Sequence, residues 1–318
     1  MKMSRILTVG EPMALFVAEK EGPLEDVEYF SRHVAGAEVN FSIGMARLDH
    51  SVTYITKLGK DPFGTYIEKF LKHNGINTSL IQYEQQYSTG MQWKQKVKSG
   101  DPDVFSARKN SAASHMDTDT LKNLDLASFD HLHLTGIPPA LSLGCREMVF
   151  ELIKSAKAKG VQISYDTNLR YGLWDSQDEM IKIINELAFQ ADIIFPGIEE
   201  GRILTGKENE QDIANFYHQE GVQTVVIKLG PKGAFTSSQG KSFYTDGFPV
   251  KEVVDTVGAG DAFAVGVVSA LLEEQPLDEA VKRGTVTGAL AVMSPGDNEG
   301  LPYRGELDKV MKDSLAQS

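Results

Sequence analysis

The sequence has a single cysteine, Cys145, among its 318 residues. One cysteine excludes an internal disulfide and any metal site that is built from several cysteines. No apolar run approaches the roughly 20 residues that span a bilayer. The chain leads into a strand-like segment at 6–9 without an apolar signal segment. These absences favour a cytoplasmic protein and indicate no membrane partner.

Positive charge is also scarce, since 32 lysines and arginines face 44 aspartates and glutamates for a net charge of −12. The sequence contains no basic run, which argues against a nucleic acid as partner. An anionic ligand would need a local cluster of cations, because the overall field repels it. The 41% hydrophobic and 24% charged residues are otherwise typical of a globular protein.

Short apolar runs alternate with amphipathic stretches of helical length. The runs predict buried strands at 6–9, 52–56, 131–134, 161–165, 193–195 and 224–227. The stretches predict helices at 39–48, 64–73, 147–158 and 178–187, followed after residue 255 by helices at 260–272, 277–293 and 306–315. This alternation is typical of βαβ units. We therefore expect one α/β domain over residues 1–318, with a mostly parallel central sheet flanked by helices.

Two segments interrupt this alternation. Strand-like pieces at 14–17 and 28–34 have no helix between them, and pieces at 91–97 and 104–107 are joined by a predicted turn at 99–102. We expect residues 12–35 and 87–110 to form a small antiparallel sheet that projects as a lid. The exposed edges of such a sheet offer a surface for a homodimer.

A glycine-rich run at 255–263, Asp-Thr-Val-Gly-Ala-Gly-Asp-Ala-Phe, follows a strand-like segment at 250–254. The amides of Gly258, Ala259 and Gly260 would lie at a helix N-terminus, where an anion is favoured. Asp261 would place a carboxylate beside that anion. Phosphoryl transfer needs this combination of donors and a base. The alternative is a tight turn with a helix-capping aspartate, and the run alone does not decide between them.

Several other features are better explained by structure than by chemistry. Residues 201–207 have the spacing of a phosphate-binding loop, but Glu208 stands where a hydroxyl should bind Mg²⁺. His131 and His133 fall on one face of a strand at period two without a third metal ligand, so we expect ordinary buried or edge histidines. We expect Cys145 to be a structural residue rather than a reactive one.

The run at 255–263 resembles the C-terminal signature of the ribokinase-like (PfkB) carbohydrate kinases. The N-terminal signature is similar to residues 35–40, Ala-Gly-Ala-Glu-Val-Asn, and to residues 57–64, Lys-Leu-Gly-Lys-Asp-Pro-Phe-Gly. The resemblance covers essentially the whole chain. It implies an ATP-dependent sugar kinase with Asp261 as the catalytic base and the amides of 258–260 as the anion hole.

The resemblance also implies where the nucleotide and metal bind. ATP would be held by the loop at 228–234, with contacts at Lys228, Gly230, Lys232, Gly233 and Ala234. The family's Asn-x-x-Glu, associated with Mg²⁺ and the phosphates, reads Gly197 to Glu200 here, so Glu200 is a candidate metal ligand through water. The family's paired glycine is reduced to Gly36. A monovalent cation is left open.

Within this family the chain is most similar to the 2-keto-3-deoxygluconate kinases, in residues 36–40, 108–112, 166–170, 173–174 and 296–303. The resemblance implies phosphorylation of the 6-hydroxyl, with sugar contacts at Gly36, Asn40, Arg108, Arg170 and Asp261. Asn168, in the run that ends a strand, and Lys94, on a lid strand, are further candidates.

If the cations converge, an arginine fork there suits a carboxylate. A fructokinase or ribokinase is the alternative within the family, and a non-catalytic sugar- or nucleotide-binding regulator is the alternative outside it. Some members carry lid tyrosines where this chain has Gln92 and Ala107, which leaves the fine specificity open.

Overall fold

The structure is a computed structural model that describes residues 3–97, 102–122, 124–294 and 296–315, with the side chains of 314 and 315 left out. Its strands are, in chain order, Arg5–Val9 (β1), Met13–Glu21 (β2), Phe30–Ala35 (β3), Ser51–Gly59 (β4), Ile81–Glu84 (β5), Met91–Lys96 (β6), Val104–Ala107 (β7), His131–Thr135 (β8), Gln162–Asp166 (β9), Ile193–Ile194 (β10), Thr224–Lys228 (β11), Ala234–Ser238 (β12) and Lys241–Thr245 (β13).

The helices of the described residues are Ala37–Arg47 (α1), Pro62–His73 (α2), Pro138–Leu141 (α3), Leu143–Ala158 (α4), Gln177–Ala188 (α5), Ile198–Thr205 (α6), Glu210–Gln219 (α7), Ala259–Leu272 (α8), Leu277–Val292 (α9) and Arg304–Leu315 (α10). The predicted helices are confirmed close to their expected bounds. Within these residues, no helix combines the length and apolar character that a membrane span requires.

A nine-stranded sheet forms the centre, in the order β13-β12-β11-β10-β9-β8-β1-β4-β5. It is parallel from β5 to β11, whereas the pairs β11–β12 and β12–β13 are antiparallel, so β12 alone runs in the reverse direction among these nine strands. Neighbouring residues of β1 serve opposite faces, because Ile6 packs with α1 and α8 while Leu7 packs with α4 and α5. The carboxyl ends of β1, β8, β9 and β11 therefore share one edge, where ligands of such sheets bind.

All six predicted central strands are confirmed. Strands β5 and β13 lie at the two ends of the sheet, and their sequences are too polar to stand out as buried runs. The strand predicted at 250–254 is wrong, since this segment forms a loop outside any strand. Val253 and Val254 are about half exposed, so the apolar run faces outward instead of joining the core.

The second sheet, which we call the small sheet, has the order β3-β2-β6-β7. Its outer pairs are antiparallel, as expected, but the central pair β2–β6 is parallel. The two strands of that pair come from separate excursions of the chain, so no hairpin reverses the direction between them. Phe16 stacks on Trp93 at 5.2 Å between ring centroids and meets Phe63 of α2 edge-on at 5.5 Å. The predicted turn at 99–102 has residues 99–101 outside the described part of the chain.

Helices α8 and α9 pack very closely, which fixes the position of the N-terminus of α8. A Cβ at Gly266 would lie 2.3 Å from Thr287 Oγ1, and one at Gly284 would lie 2.6 Å from a Val267 methyl group. Only glycines allow this separation. The buried, almost wholly apolar α8 is thereby held so that its first turn meets the carboxyl edge of the central sheet.

Candidate active site

The turn before α8 is built for close approach of a ligand. Gly258 has φ +77° at the N-cap of α8, and a Cβ there would lie 2.3 Å from the carbonyl oxygen of Asp297. The amides of the first helical turn have no acceptor within the helix, and the helix dipole adds partial positive charge. A Cβ at Gly260 would lie 3.3 Å from Lys228 Nζ, so a cation borders the same space. This arrangement can bind an anion.

Asp261 lies in that first turn and is held by two amide side chains. Asn40 Nδ2 donates to Oδ2 at 2.9 Å, and Asn168 Nδ2 donates to Oδ1 at 3.5 Å. Burial, and then the charge of Asp166, raise the pKa of Asp261 to about 7 against the opposing effect of Asn40, Lys228 and Arg170. A carboxylate with a pKa near the working pH suits a general base.

Lys228 ends β11 and forms an ion pair with Asp166 at the end of β9. Its Nζ donates to Oδ1 at 2.8 Å and to Oδ2 at 2.7 Å. Burial lowers the pKa of Lys228, but the charges of Asp166 and Glu200 outweigh this and raise it overall. Lys228 is therefore a fixed cation beside the turn at 258–260, which we call the anion-binding turn. The sequence analysis assigned Asp166 no separate role, although its position at a strand end was a usable signal.

Glu200 lies in the first turn of α6, and its carboxylate accepts three hydrogen bonds. Oε2 accepts from Gly197 N at 2.8 Å and Thr167 Oγ1 at 2.7 Å, and Oε1 accepts from Leu169 N at 2.8 Å. Its carboxylate therefore fixes the loop after β9. No group of three potential metal ligands occurs in the described residues. Mg²⁺ commonly keeps several waters and uses one or two carboxylates plus phosphates, so Asp166 and Glu200 fit as outer ligands.

A cleft of about 450 Å³ extends from the anion-binding turn between α8, α9 and the loops after β11 and β13. Most of its walls are apolar, as is usual for sites that bind small molecules. Lys228, Gly230 and Gly233 belong to the lining, and so do Val250 and Val253 from the wrongly predicted strand. Lys232 is exposed outside the lining, and Ala234 is buried behind it.

Two predicted sugar contacts are paired with carboxylates. Arg108, just after β7, donates to Glu11 through Nε at 2.7 Å and also through Nη2. Lys94 on β6 donates to Asp255 Oδ2 at 2.8 Å and lies 3.9 Å from Asp297 Oδ1. Lys94 thus links the small sheet to the start of the anion-binding turn. The sequence analysis predicted none of these three pairings, because each carboxylate is far along the chain from its partner.

The remaining sugar candidates lie around Asp261. Gly36 caps α1 with φ +146°, and a Cβ there would lie 3.1 Å from the carbonyl oxygen of Glu11. Asn40 follows one turn later and also accepts from Asn298 Nδ2 at 3.5 Å. Arg170 is exposed and its side chain makes no hydrogen bond or ion pair with the described residues, but its charge lowers the pKa of Asp261. It is therefore a cation near the base that is available to a ligand.

The structural explanations of the other features are confirmed. His131 and His133 both contact Ser164 Oγ, at 2.7 and 2.8 Å, and burial lowers the pKa of each. Burial also raises the pKa of the Cys145 thiol to about 11. Residues 201–205 are helical, with Gly201 buried inside α6, so the segment at 201–207 is no phosphate loop.

Comparisons with known proteins agree with this geometry. The sequence profile of the pfkB family carbohydrate kinases matches residues 3–304. The chain is 43% identical to 2-dehydro-3-deoxygluconokinase from Bacillus subtilis (strain 168), covering 96% of this chain and 95% of the relative. It is also 43% identical to a PfkB protein from Polaromonas sp. JS666, whose crystal structure superposes with a TM-score of 0.89 over 96% of this chain and 99% of the other.

A third similar protein is an E. coli protein described as a ribokinase II, whose structure was determined with ATP and Mg²⁺. It is 26% identical, with a TM-score of 0.90 over 98% of this chain and 100% of the other. The ribokinase-like architecture, with its central sheet and projecting small sheet, is therefore shared by these proteins. The chain belongs to the pfkB family of carbohydrate kinases, phosphotransferases whose acceptor is an alcohol group.

Proposed function

We propose that this kinase transfers the γ-phosphoryl group of ATP to the 6-hydroxyl of 2-keto-3-deoxy-D-gluconate. The observation that carries the proposal is Arg170, an exposed guanidinium without a protein partner in the described residues, whose charge acts on Asp261. A free arginine near the base suits a substrate that carries a carboxylate as well as hydroxyls. The 43% identity to a 2-dehydro-3-deoxygluconokinase, another name for the kinase of this sugar acid, supports the choice.

Asp261 acts as the base that accepts the proton of the attacking hydroxyl. Asn40 and Asn168 hold its two oxygens, so the carboxylate is oriented before the substrate binds. The amides of 258–260 and the ammonium group of Lys228 stabilise the charge that develops on the transferred phosphoryl group. Asp166 keeps Lys228 in place through two hydrogen bonds.

The apolar cleft takes the adenine and ribose of ATP, with Gly230 and Gly233 allowing the nucleotide to approach the backbone. Mg²⁺, held through water by Asp166 and Glu200, would neutralise charge on the phosphates. Lys232 contributes at most from the rim, because it is exposed and does not belong to the lining of the cleft. Ala234 supports the loop from below.

The sugar acid lies between Asp261 and the small sheet, which acts as a lid. Arg170 binds its carboxylate, while Gly36, Asn40, Asn168 and Arg108 line the space for its hydroxyl and keto groups. Lys94 holds the lid against the anion-binding turn through Asp255 rather than contacting the sugar. Burying the substrate in this way excludes water and so prevents ATP hydrolysis.

We also propose a homodimer through the small sheet and a location in the cytoplasm. Strands β3 and β7 are the edges of that sheet, and Phe105 on β7 is 62% exposed. Open strand edges with apolar side chains are ready to pair with a second copy. The single cysteine suits a reducing compartment, where ATP is also available.

An ADP-release assay with a panel of sugars tests the proposed function. The panel contains 2-keto-3-deoxy-D-gluconate, gluconate, fructose and ribose, each with ATP and Mg²⁺. We expect the keto-deoxy acid to give the highest kcat/KM, by at least about tenfold. A higher value for fructose or ribose would replace the substrate assignment. Sugar binding without ADP release would contradict the catalytic role altogether.

A further inference from the structure

Arg108 is held by the protein along one edge of its guanidinium group. Its Nε and Nη2 both donate to the same oxygen, Oε2 of Glu11. A guanidinium has five N–H donors. The two on Nη1 and the second one on Nη2 therefore remain, and they have no acceptor among the described residues. They form the Nη1–Nη2 end of the group, a fork that can still bind two oxygens.

The carboxylate of Glu11 is itself fixed. Its side chain is fully buried, and Ser111 Oγ donates to its second oxygen, Oε1. A Cβ at Gly90 would lie only 2.7 Å from Oε1, so a glycine there leaves room for the carboxylate. Glu11 follows β1 of the central sheet by two residues, whereas Arg108 follows β7 of the small sheet. The pair thus joins the small sheet to the loop that follows β1 of the central sheet.

We propose that Glu11 is a positioning residue, which orients the free edge of Arg108 toward the sugar. The inference rests on the proposed function, because it takes Arg108 to contact the sugar substrate. Glu11 compensates the charge of Arg108, so this arginine serves as a directed donor for hydroxyl or keto oxygens. The uncompensated Arg170 is left to bind the carboxylate.

A purely structural role for Glu11 is the rival explanation, and it predicts a different result. If the ion pair only stabilises the fold, its loss would lower the melting temperature and leave the sugar KM unchanged. Glu273 offers the matched control, since it is also buried and also pairs with arginines, Arg283 at 2.8 Å and Arg304 at 2.5 Å. Glu273 contributes nothing to the site described above.

The test compares steady-state constants of the wild type, Glu11→Gln, Arg108→Ala, the double variant and Glu273→Gln. We expect Glu11→Gln to raise the sugar KM about tenfold, because a displaced donor misorients the substrate, with the ATP KM changed less than about twofold. The double variant should be no worse than Arg108→Ala alone, since Glu11 acts through Arg108. Glu273→Gln should lower the melting temperature and leave both KM values unchanged.

An unchanged sugar KM in Glu11→Gln, or multiplying effects in the double variant, would overturn the inference. If Glu11→Gln does not fold, Ser111→Ala keeps the carboxylate and frees only Oε1. It should raise the sugar KM about two- to threefold with the ATP KM constant, and no change would again overturn the inference. Failure of the proposed function is separate, because it appears as absent turnover of the keto-deoxy acid by the wild type. The comparison is then made with whichever sugar the wild type accepts.

Discussion

Asp261 joins the two sequence signatures at the scale of single residues. It belongs to the C-terminal run, and its carboxylate is held by Asn40 from the N-terminal run at 2.9 Å. The sequence analysis could predict both residues, because each belongs to a recognisable motif. It could not predict the pairs Arg108–Glu11 and Lys94–Asp255, since nothing local in the chain records a contact between residues 97 or 161 positions apart.

Replacing the base gives the first prediction. Asp261→Asn keeps the size of the side chain and loses the proton acceptor, so kcat should fall at least about 10²-fold. The ATP dissociation constant should change little, because the cleft is formed by other residues. Single-turnover assays and nucleotide titration measure the two quantities. A variant with near-wild-type turnover would remove Asp261 from the mechanism.

The pH dependence of kcat/KM provides a second prediction. Burial raises the pKa of Asp261 from 3.8 to about 7, so the active carboxylate form predominates only above that pH. As the pH falls below about 7, the base becomes protonated and kcat/KM should fall about tenfold per pH unit. A profile that stays flat down to pH 5 would contradict this environment for Asp261.

The anion-binding turn is the decisive feature at the scale of elements. Gly258 has φ +77° and no space for a Cβ beside the carbonyl oxygen of Asp297. Gly258→Ala should therefore displace the turn and lower kcat about 10²-fold, as a shift of about 1 Å can do. Gly305→Ala is the control, because it lies in α10 with open space around it. Equal kinetics of the two variants would show that the turn tolerates a side chain.

The same scale shows what an apolar pattern can and cannot predict. Strands such as β1 and β4 contain short apolar segments, which are buried in the central sheet. The run at 250–254 has the same appearance but lines the apolar cleft beside α8, with Val253 in its wall. A pattern of apolar residues predicts a surface that is shielded from water. It does not show whether packed protein or a bound ligand shields that surface.

For the whole molecule, the C-terminal helices are held together by one buried carboxylate. Glu273 at the end of α8 pairs with Arg283 of α9 and Arg304 of α10. Burial by itself raises the pKa of Glu273, but the contact with His50 at 3.4 Å and the hydrogen bonds from these arginines outweigh it and lower the pKa to about 2. The carboxylate thus stabilises the folded state fully above pH 4.5, and this contribution is lost as the pH falls through about 2.

Glu273→Gln should therefore destabilise the protein by about 3 kcal/mol, because among the described residues it leaves the guanidinium group of Arg283 without a charge partner and that of Arg304 with only Asp49, at 3.5 Å. Thermal unfolding at pH 7 should show a melting temperature several degrees lower. Lys182→Gln is the control, since its ammonium group is exposed and lies 4.0 Å from Glu186 on one helix face. An unchanged melting temperature of Glu273→Gln would contradict the structural role of this cluster.

The overall architecture could be predicted from the alternation of apolar runs and amphipathic stretches. The assignment of the sugar depends instead on how residues far apart in the chain are placed around the site. Arg170 could be proposed from its strand-end position, whereas the absence of a side-chain partner among the described residues is visible only in three dimensions. That feature separates a sugar acid from a neutral sugar in this account.

The most direct test is the effect of Arg170→Ala on kcat/KM for 2-keto-3-deoxy-D-gluconate compared with a neutral sugar of the panel. Arg5→Ala, at the opposite end of β1 from the site, serves as the control. We expect Arg170→Ala to reduce kcat/KM for the acid by about 10²-fold, as loss of a charge-assisted pair does, and to change the neutral sugar less than about threefold. Equal losses on both substrates would contradict the binding of a sugar acid at Arg170.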